Sequence, residues 1–198
     1  MEPYISPLPD NIEHKVQKYM TLLEKWAGRV SLTSIRDPEE IVRFHFGESI
    51  FALHVSQINN GRLADVGSGA GFPGLAIKLA RPKLSTTLIE PNKKKSAFLH
   101  EVARTLDLSD VQILPTDFES SGIDRDSLAA VACRALGQHA LLLNWSHARL
   151  AREGSVLLWV SSDDAKAISA KSEWNWHTPL LIPNTRGRFL LRGTKKMS

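Results

Sequence analysis

The sequence predicts an α/β fold in which a mostly parallel β-sheet is covered by helices on both faces. From residue 61 onward, short apolar runs rich in β-branched residues alternate with amphipathic helical patterns, which is typical of parallel strands joined by helical connections. The first of these runs ends in the glycine-rich sequence Gly67-Ser68-Gly69-Ala70-Gly71. Such a sequence predicts a strand, a tight turn and a helix, with bare backbone close to a ligand.

A helical segment precedes the sheet. From Asn11 to Val30, apolar residues recur at intervals of three and four with basic residues between them, which predicts an amphipathic helix capped by Asp10 or Asn11. The pair Asp37-Pro38 predicts a second helix with Asp37 at its N-cap and the proline at its first position. Because residues 58–61 break the helical pattern, we predict an N-terminal helical appendage over 1–60 and a ligand-binding domain over 61–198.

The predicted elements of the second domain follow in order. Pro73 fits the first turn of the helix after the glycines, and a β-branched strand then ends in an acid at Glu90. Amphipathic patterns predict helices at 93–106 and around 140–151. Further strands are predicted at 63–66, 111–114, 128–133 and 155–160. The last part of the sequence is irregular, with strands predicted at 178–182 and 189–192.

Composition and sequence patterns argue against a disulfide-stabilised, a secreted or a membrane-spanning protein. The 198 residues are 42% hydrophobic and 23% charged, as in an ordinary globular protein with one well-buried domain. The single cysteine, Cys133, cannot form an internal disulfide and is predicted to be a small buried residue. We expect a cytoplasmic protein without membrane contact, because the sequence shows neither a signal-peptide pattern nor a bilayer-spanning apolar stretch. The net charge of +4 permits a polyanionic partner without requiring one.

Two acids narrow the class of ligand. Glu90, at the end of the second strand, is placed to accept hydrogen bonds from a ribose, so the ligand is predicted to contain a nucleoside. The spacing Gly69-x-Gly71-x-x-Gly74 matches the dinucleotide fingerprint, and this leaves nicotinamide and flavin cofactors open. Asp65, at the end of the first strand and two residues before Gly67, suits a cationic amino acid and would repel a pyrophosphate. This arrangement favours S-adenosylmethionine.

Longer motifs add a family resemblance. The stretch D-V-G-S-G-A-G-F-P-G at 65–74, together with L-T-S-I-R-D-P-E-E at 32–40 and H-F-G-E-S at 45–49, resembles the bacterial rRNA small subunit methyltransferase G family, also called glucose-inhibited division protein B (GidB). The resemblance continues through L-I-E-P at 88–91 and C-R-A at 133–135. It extends to about Leu136 and then becomes weaker.

The resemblance implies a fold and an activity. The fold would be the Rossmann-like class I methyltransferase fold, with a mostly parallel seven-stranded sheet. The activity would be methyl transfer from S-adenosylmethionine to N7 of a guanine in 16S small-subunit rRNA. The expected partner is therefore small-subunit rRNA or a ribosomal particle, and we expect a monomer. Guanine N7 carries a lone pair and no proton, so the reaction needs no general base, and the sequence shows no Ser/His/Asp or Cys/His constellation.

Candidate site residues come from both lines of reasoning. The motif logic assigns the cofactor to Asp65, Gly69 and Glu90. The resemblance implies that the cofactor also contacts Gly67, Phe72, Phe118, Glu119 and Arg134. We interpret Arg134 in addition as the residue that orients cofactor or base in catalysis, and Lys94, Lys95 and Arg188 as candidate RNA contacts. His45 lacks partners at metal-ligand spacing, so no metal site is predicted.

The sequence departs from the family pattern at charged positions. Asp117 stands where the family usually has an arginine, and Val160 or Ser161 stands where it has a lysine; Arg188 is the nearest match to a third basic residue. An acid at 117 would suit deprotonation of an exocyclic amine, so a related methyltransferase with a different acceptor is one alternative. A non-catalytic nucleoside- or NAD(P)-binding protein is another.

A cluster of basic residues near the end of the sequence suits either contact with an RNA backbone or a solvated tail. It comprises Arg186, Arg188, Arg192, Lys195 and Lys196.

Overall fold

One eight-stranded sheet organises the protein in the computed structural model, which describes residues 8–56, 58–185 and 187–196. Its strands are β1 (Arg62–Val66), β2 (Ser85–Ile89), β3 (Val111–Leu114), β4 (Leu128–Arg134), β5 (Leu150–Ser161), β6 (Trp174–Trp176), β7 (Leu180–Leu181) and β8 (Arg188–Lys195). The main path has the order β3-β2-β1-β4-β5-β8-β6, and β7 pairs with β8. The path thus has the seven strands that the resemblance implied, and the two-residue β7 adds an eighth.

The strand directions place the candidate site. Strands β1 to β5 pair in parallel, whereas β8 runs antiparallel to β5, β6 and β7. The chain moves outward in one direction from β1 to β3 and in the other from β4 onward, so the strand order reverses between β1 and β4. Ligands of such sheets bind at the carboxyl ends of the strands beside this reversal. The glycine turn follows β1 and therefore lies there.

The helices largely match the predicted ones. They are α1 (Ile12–Ala27), α2 (Pro38–Ile41), a π-helix (Val42–Gly47), α3 (Glu48–Phe51), a short 3₁₀ helix (Ala52–His54), α4 (Gly74–Ala80), α5 (Lys93–Thr105), α6 (His139–Arg149) and α7 (Ser162–Ser169). Asp37 caps α2 as predicted, since its Oδ1 accepts the Glu40 N–H at 2.9 Å. Asn11 holds the N-cap position of α1 but makes no side-chain capping bond.

Two local predictions differ from the structure. Pro73 lies at the N-cap of α4, one residue before its first turn. The end of the sequence, expected to be irregular apart from two strands, also contains α7 and β6. Helix α7 buries only Ala165 and Ile168, which is too short an apolar pattern to recognise in the sequence. Its start depends on Ser161, whose side chain accepts the Asp164 N–H.

The N-terminal helices share a core with the sheet. Tyr19 of α1 is fully buried, and its ring stacks on Phe72 at 5.4 Å and meets Phe46 edge-on at 5.3 Å. Its hydroxyl donates a hydrogen bond of 2.6 Å to the carbonyl of Ala70, inside the glycine turn. A residue of α1 therefore forms a hydrogen bond to the backbone of the glycine turn. The division of the chain into two domains at residue 60 stays a prediction.

Among the residues that the structure describes, no helix combines the length and the apolar character required to cross a membrane.

The bond between α1 and the turn yields a first prediction. Replacement Tyr19→Phe leaves the Ala70 carbonyl without its buried donor, so we expect a loss of about 1–2 kcal/mol in the free energy of unfolding, measured by urea denaturation. Thr21→Val is the matched control, because the Thr21 hydroxyl bonds to the Gln17 carbonyl on the exposed side of the same helix; its effect is expected to stay within about 0.5 kcal/mol. Equal losses in both variants would contradict this role of Tyr19.

Candidate functional site

The glycine turn leaves open space at one position. Gly67, Gly69 and Gly71 have φ angles of +72°, +56° and +85°. Residues with a Cβ rarely adopt this backbone region. A Cβ at Gly71 would collide with the Tyr19 hydroxyl and the Leu75 side chain, whereas at Gly69 it would meet only the Gly67 carbonyl oxygen, at 3.8 Å. Packing therefore explains the glycine at 71. The space above Gly69 is available to a ligand.

Glu90 lies beside this opening, as predicted. Its Oε2 accepts the Gly69 N–H at 2.8 Å and its Oε1 accepts the Asn92 N–H at 2.9 Å. The carboxylate thus joins the glycine turn to the end of β2. Each carboxylate oxygen has a second lone pair, so these two bonds leave acceptor capacity for the hydroxyl groups of a ribose.

Asp65 is a buried acid with one oxygen in use. Its side chain is fully buried, and Oδ2 accepts the Gly74 N–H at 2.9 Å at the start of α4. Among the described residues, Oδ1 has no hydrogen-bond partner. Burial raises the pKa of Asp65 to about 7 and the Glu90 charge adds to the rise, while the Gly74 N–H, the Ser68 hydroxyl and the charge of Arg134 oppose it. The Ser68 hydroxyl donates its hydrogen bond of 2.9 Å to the backbone carbonyl of Asp65, which leaves Oδ1 unpartnered among these residues. The charge of such a carboxylate suits the ammonium group of an amino-acid ligand, although Oδ1 itself is buried in this structure.

The ring of Phe72 is held between two other rings. It stacks on Tyr19 on one side and on His45 at 4.7 Å, with 16° between the planes, on the other. His45 also shares a 2.7 Å hydrogen bond between its Nε2 and the Thr33 hydroxyl. Burial lowers the pKa of His45 to about 4, and the charges of Arg134 and Arg188 add to this. The Phe72 ring also meets Phe46 edge-on at 5.0 Å and is buried, so little of the ring is available to a ligand.

The described part of the chain contains no cluster of three or more His, Cys, Asp or Glu residues that could hold a metal ion.

The loop after β3 carries the next candidates. Phe118 is buried and meets Trp145 edge-on at 5.7 Å, whereas Glu119 is exposed. Asp117 is also exposed, and its Oδ1 accepts the Ser120 N–H at 2.9 Å. This hydrogen bond lowers the pKa of Asp117. A carboxylate with a lowered pKa is a weaker proton acceptor, so Asp117 caps a turn here and is poorly suited to act as a base.

Arg134 and Arg188 are brought together by an acid that sequence reasoning did not single out. Glu48, at the start of α3, has its Oε2 2.6 Å from Nη1 of Arg188 and 3.4 Å from Nη1 of Arg134. The two arginines lie at the end of β4 and the start of β8. The only sequence signal for Glu48 is its place in the H-F-G-E-S motif, because nothing in the sequence indicates that α3 meets β4 and β8.

A cavity of about 590 Å³ opens at the carboxyl ends of β4 and β5. Arg134 and Arg188 line it, together with Trp159, Val160 and Ser161. Val160 is buried and Ser161 caps α7. The positions where the family has a lysine therefore bring no charge to this cavity.

The remaining basic residues have varied surroundings. At the start of α5, Lys94 is exposed and Lys95 is half-buried. In the predicted C-terminal basic cluster, Arg192 donates to the Val55 carbonyl at 3.0 Å and Lys195 pairs with Asp126 at 2.6 Å. Lys196 is exposed. The last member of that cluster, Arg186, lies outside the described residues.

Comparison with known sequences gives a consistent result. A family model, GidB, described as rRNA small subunit methyltransferase G, matches residues 12–181. A Chloroflexus aggregans protein named ribosomal RNA small subunit methyltransferase G is 34% identical over 200 residues, which cover 96% of this chain and 84% of that protein. A Roseiflexus castenholzii protein of the same name is 40% identical over 131 residues. That alignment covers 65% of this chain and 56% of the relative.

Solved structures agree on the fold. A Methanococcus maripaludis protein described as an S-adenosyl-L-methionine-dependent methyltransferase superposes with a TM-score of 0.64 at 12% identity, covering 100% of this chain and 96% of that one. The M. jannaschii protein TYW2, solved in complex with AdoMet, superposes with a TM-score of 0.52 at 15% identity, covering 69% of this chain and 68% of that one. The chain therefore has the Rossmann-like fold of these methyltransferases.

The buried acid of the site yields a second prediction. A carboxyl whose pKa is raised by folding, here from 3.8 to about 7, contributes stability at low pH that is lost as the pH rises through that interval. Asp65→Asn stays uncharged throughout. We therefore expect the unfolding free energy of the wild type, relative to that of this variant, to fall between about pH 4 and pH 7 in urea titrations without ligand. Parallel pH profiles for the two proteins would contradict the raised pKa.

Proposed function

We propose, from the premise that the chain belongs to the rRNA small subunit methyltransferase G family, that it methylates N7 of a guanine in 16S small-subunit rRNA with S-adenosylmethionine as methyl donor. One observation carries the proposal beyond family membership. Gly69, at the open position of the glycine turn, lies beside the Glu90 carboxylate, and the unpartnered oxygen of Asp65 lies at the same end of the sheet. This arrangement suits a ligand with both a ribose and an ammonium group.

The residues that would hold the cofactor follow from this geometry. We assign the ribose to Glu90, the amino-acid end to Asp65, and close backbone contact to Gly67 and Gly69. Further contacts, on the family resemblance, are Phe72, Phe118, Glu119 and Arg134. When bound, S-adenosylmethionine supplies an electrophilic methyl group on its sulfonium.

The proposed reaction requires little proton transfer by the side chains of the protein. Because N7 of guanine has a lone pair and no proton, the side chains have to orient the base, align it with the methyl group and exclude water. Arg134 is our candidate for this orienting role. The turn-capping bond of Asp117 engages its Oδ1 and favours the charged form of the carboxyl, so the structure gives no particular support to a role of Asp117 in deprotonating an exocyclic amine.

The helix start also weighs against a dinucleotide. In dinucleotide-binding sheets a pyrophosphate occupies the N-terminal N–H groups of the helix after the first strand. Here the Gly74 N–H at the start of α4 is already bonded to the Asp65 carboxylate at 2.9 Å. A buried acid at that position disfavours a second anion, which supports S-adenosylmethionine over NAD(P).

We propose small-subunit rRNA or a ribosomal particle as the partner, and a monomer acting in the cytoplasm. The net charge of +4 supports a polyanionic partner. We propose Arg188, Lys94 and Lys95 as contacts to the RNA, since all three carry positive charge that is partly or fully accessible.

The proposed cofactor site yields a third prediction. Gly69→Ala adds a methyl group to space that the protein leaves open, at a φ of +56° that costs an alanine about 1–2 kcal/mol. We expect the fold to persist in circular dichroism. Affinity for S-adenosylmethionine, measured by calorimetry, is expected to fall by more than about tenfold, which corresponds to a loss of about 1.4 kcal/mol.

Gly122→Ala is the matched control for backbone strain. Gly122 has a φ of +67°, and a Cβ there meets nothing within 4 Å. Its loop follows Phe118 and Glu119 but lies outside the proposed ligand contacts. Retained affinity in the Gly69 variant, or an equal loss in both variants, would contradict the placement of the cofactor.

The proposed substrate yields a fourth prediction. In cells lacking the gene, mass analysis of small-subunit rRNA is expected to show one guanine without its N7-methyl group, and a plasmid copy of the gene is expected to restore it. A plasmid copy carrying Gly69→Ala should fail to restore it. An unchanged N7-methylguanosine content in the deleted strain would contradict the proposed activity.

A further inference from the structure

Glu48 is a buried carboxylate at the meeting point of four elements. Its side chain is 2% exposed and contacts Arg188 of β8 at 2.6 Å and Arg134 of β4 at 3.4 Å. Its backbone carbonyl accepts the indole N–H of Trp159 in β5 at 2.8 Å. The start of α3 is thus fixed against three strands of the sheet.

The π-helix before Glu48 supplies a second acceptor. The carbonyl of Phe44, within Val42–Gly47, accepts a hydrogen bond of 2.9 Å from Nη1 of Arg134. A π-helix widens the backbone turn, and such segments are frequent at functional sites. The guanidinium of Arg134 is consequently held by two oxygen atoms that both come from the N-terminal helical segment.

The two arginines differ in how much of each remains accessible. The side chain of Arg134 is 14% exposed, whereas that of Arg188 is 43% exposed. A guanidinium has five N–H donors, and Glu48 engages Arg188 through Nη1. Arg188 therefore keeps donors that can reach a ligand in the cavity of about 590 Å³ that both arginines line.

The carboxylate also reduces repulsion between like charges. Burial lowers the pKa of Arg134 and the charge of Arg188 lowers it further, while the charge of Glu48 and, to a smaller extent, that of Asp65 oppose these effects. Without the Glu48 charge, two guanidinium groups near one another would repel and a buried cation would lose its partner, which is strongly unfavourable. The arginines would then move apart or towards solvent.

We propose that Glu48 is a positioning residue for methyl transfer. It holds Arg134 and Arg188 side by side so that their remaining N–H groups face the acceptor nucleotide in the cavity at the carboxyl ends of β4 and β5. This inference rests on the proposed function. Glu48 acts through the two arginines and does not itself contact the nucleotide.

A first test needs neither cofactor nor RNA. Phenylglyoxal modifies accessible arginines, and peptide mass spectrometry measures the rate at each one. In Glu48→Gln we expect Arg134 to react at least about fivefold faster than in the wild type, because it loses its buried ionic partner. Glu48→Asp retains the charge on a shorter side chain, so we expect Arg134 to react at a rate between those of the wild type and Glu48→Gln. Unchanged reactivity of Arg134 in Glu48→Gln would overturn the proposal that Glu48 holds this arginine in place.

The matched control removes another carboxylate that pairs with β8. Asp126 bonds to Lys195 at 2.6 Å, outside the proposed site. Asp126→Asn is expected to leave the reactivity of Arg134 and Arg188 unchanged. Should Glu48→Gln fail to fold, Glu48→Asp carries the same comparison: the shorter side chain is expected to give intermediate reactivity, and wild-type reactivity would overturn the proposal.

A second test separates positioning from general stabilisation. With small ribosomal subunits as acceptor, Glu48→Gln is expected to lower kcat/KM by about tenfold or more in the wild-type background but by less than about threefold in an Arg188→Gln background, since residues that act together are not additive. Equal losses in both backgrounds would indicate a merely structural role and overturn the proposal. If the wild type transfers no methyl group to subunits that lack the modification, the proposed function fails, while the phenylglyoxal result still decides whether Glu48 holds the arginines.

Discussion

The rest of the site depends on two carboxylates, one of which accepts a backbone N–H of the glycine turn and the other the first backbone N–H of α4. Glu90, at the end of β2, accepts the N–H of Gly69 in the turn, and Asp65, in the last part of β1, accepts the N–H of Gly74 at the start of α4. Residues at the ends of two adjacent strands therefore fix the turn and the helix that follows it. Because β1 and β2 pair in parallel, their carboxyl ends meet at one edge of the sheet. This geometry converts a flexible glycine sequence into a fixed surface for a ligand.

The N-terminal helices complete this site. Tyr19 of α1 bonds to the turn, His45 stacks on Phe72, and Glu48 holds the arginines of β4 and β8. Each contact joins residues distant in sequence, and each meets the sheet at the end that carries the glycine turn. The helical segment therefore shapes both the proposed cofactor surface and the proposed acceptor cavity.

Charge is distributed in a way that suits the proposed reaction. Asp65 and Glu90 lie where a cationic ligand is proposed, and Arg134 and Arg188 line the cavity at the ends of β4 and β5. The Asp117 carboxylate caps a turn, which does not favour a role as a base. Val160 is buried, so it does not replace the positive charge of the lysine that the family has near this position. Arg134 and the more exposed Arg188, both beside Glu48, bring positive charge to this cavity. Transfer to a nitrogen without a proton is compatible with such a site, since it requires alignment more than proton transfer.

The sequence by itself determined the α/β class, the succession of the main strands along the chain and the glycine turn, because these depend on local periodicity and on residues with special backbone preferences. It also indicated that Asp65 and Glu90 would lie near the turn, since the ends of parallel strands meet at one edge. Helix α7 was missed because its buried pattern is two residues long. Only the tertiary structure decided that Asp65 shares its carboxylate with α4, that Asp117 caps a turn, and that Glu48 joins Arg134 to Arg188. These contacts span up to 140 positions, and no local pattern encodes which distant side chains a packed fold will bring together.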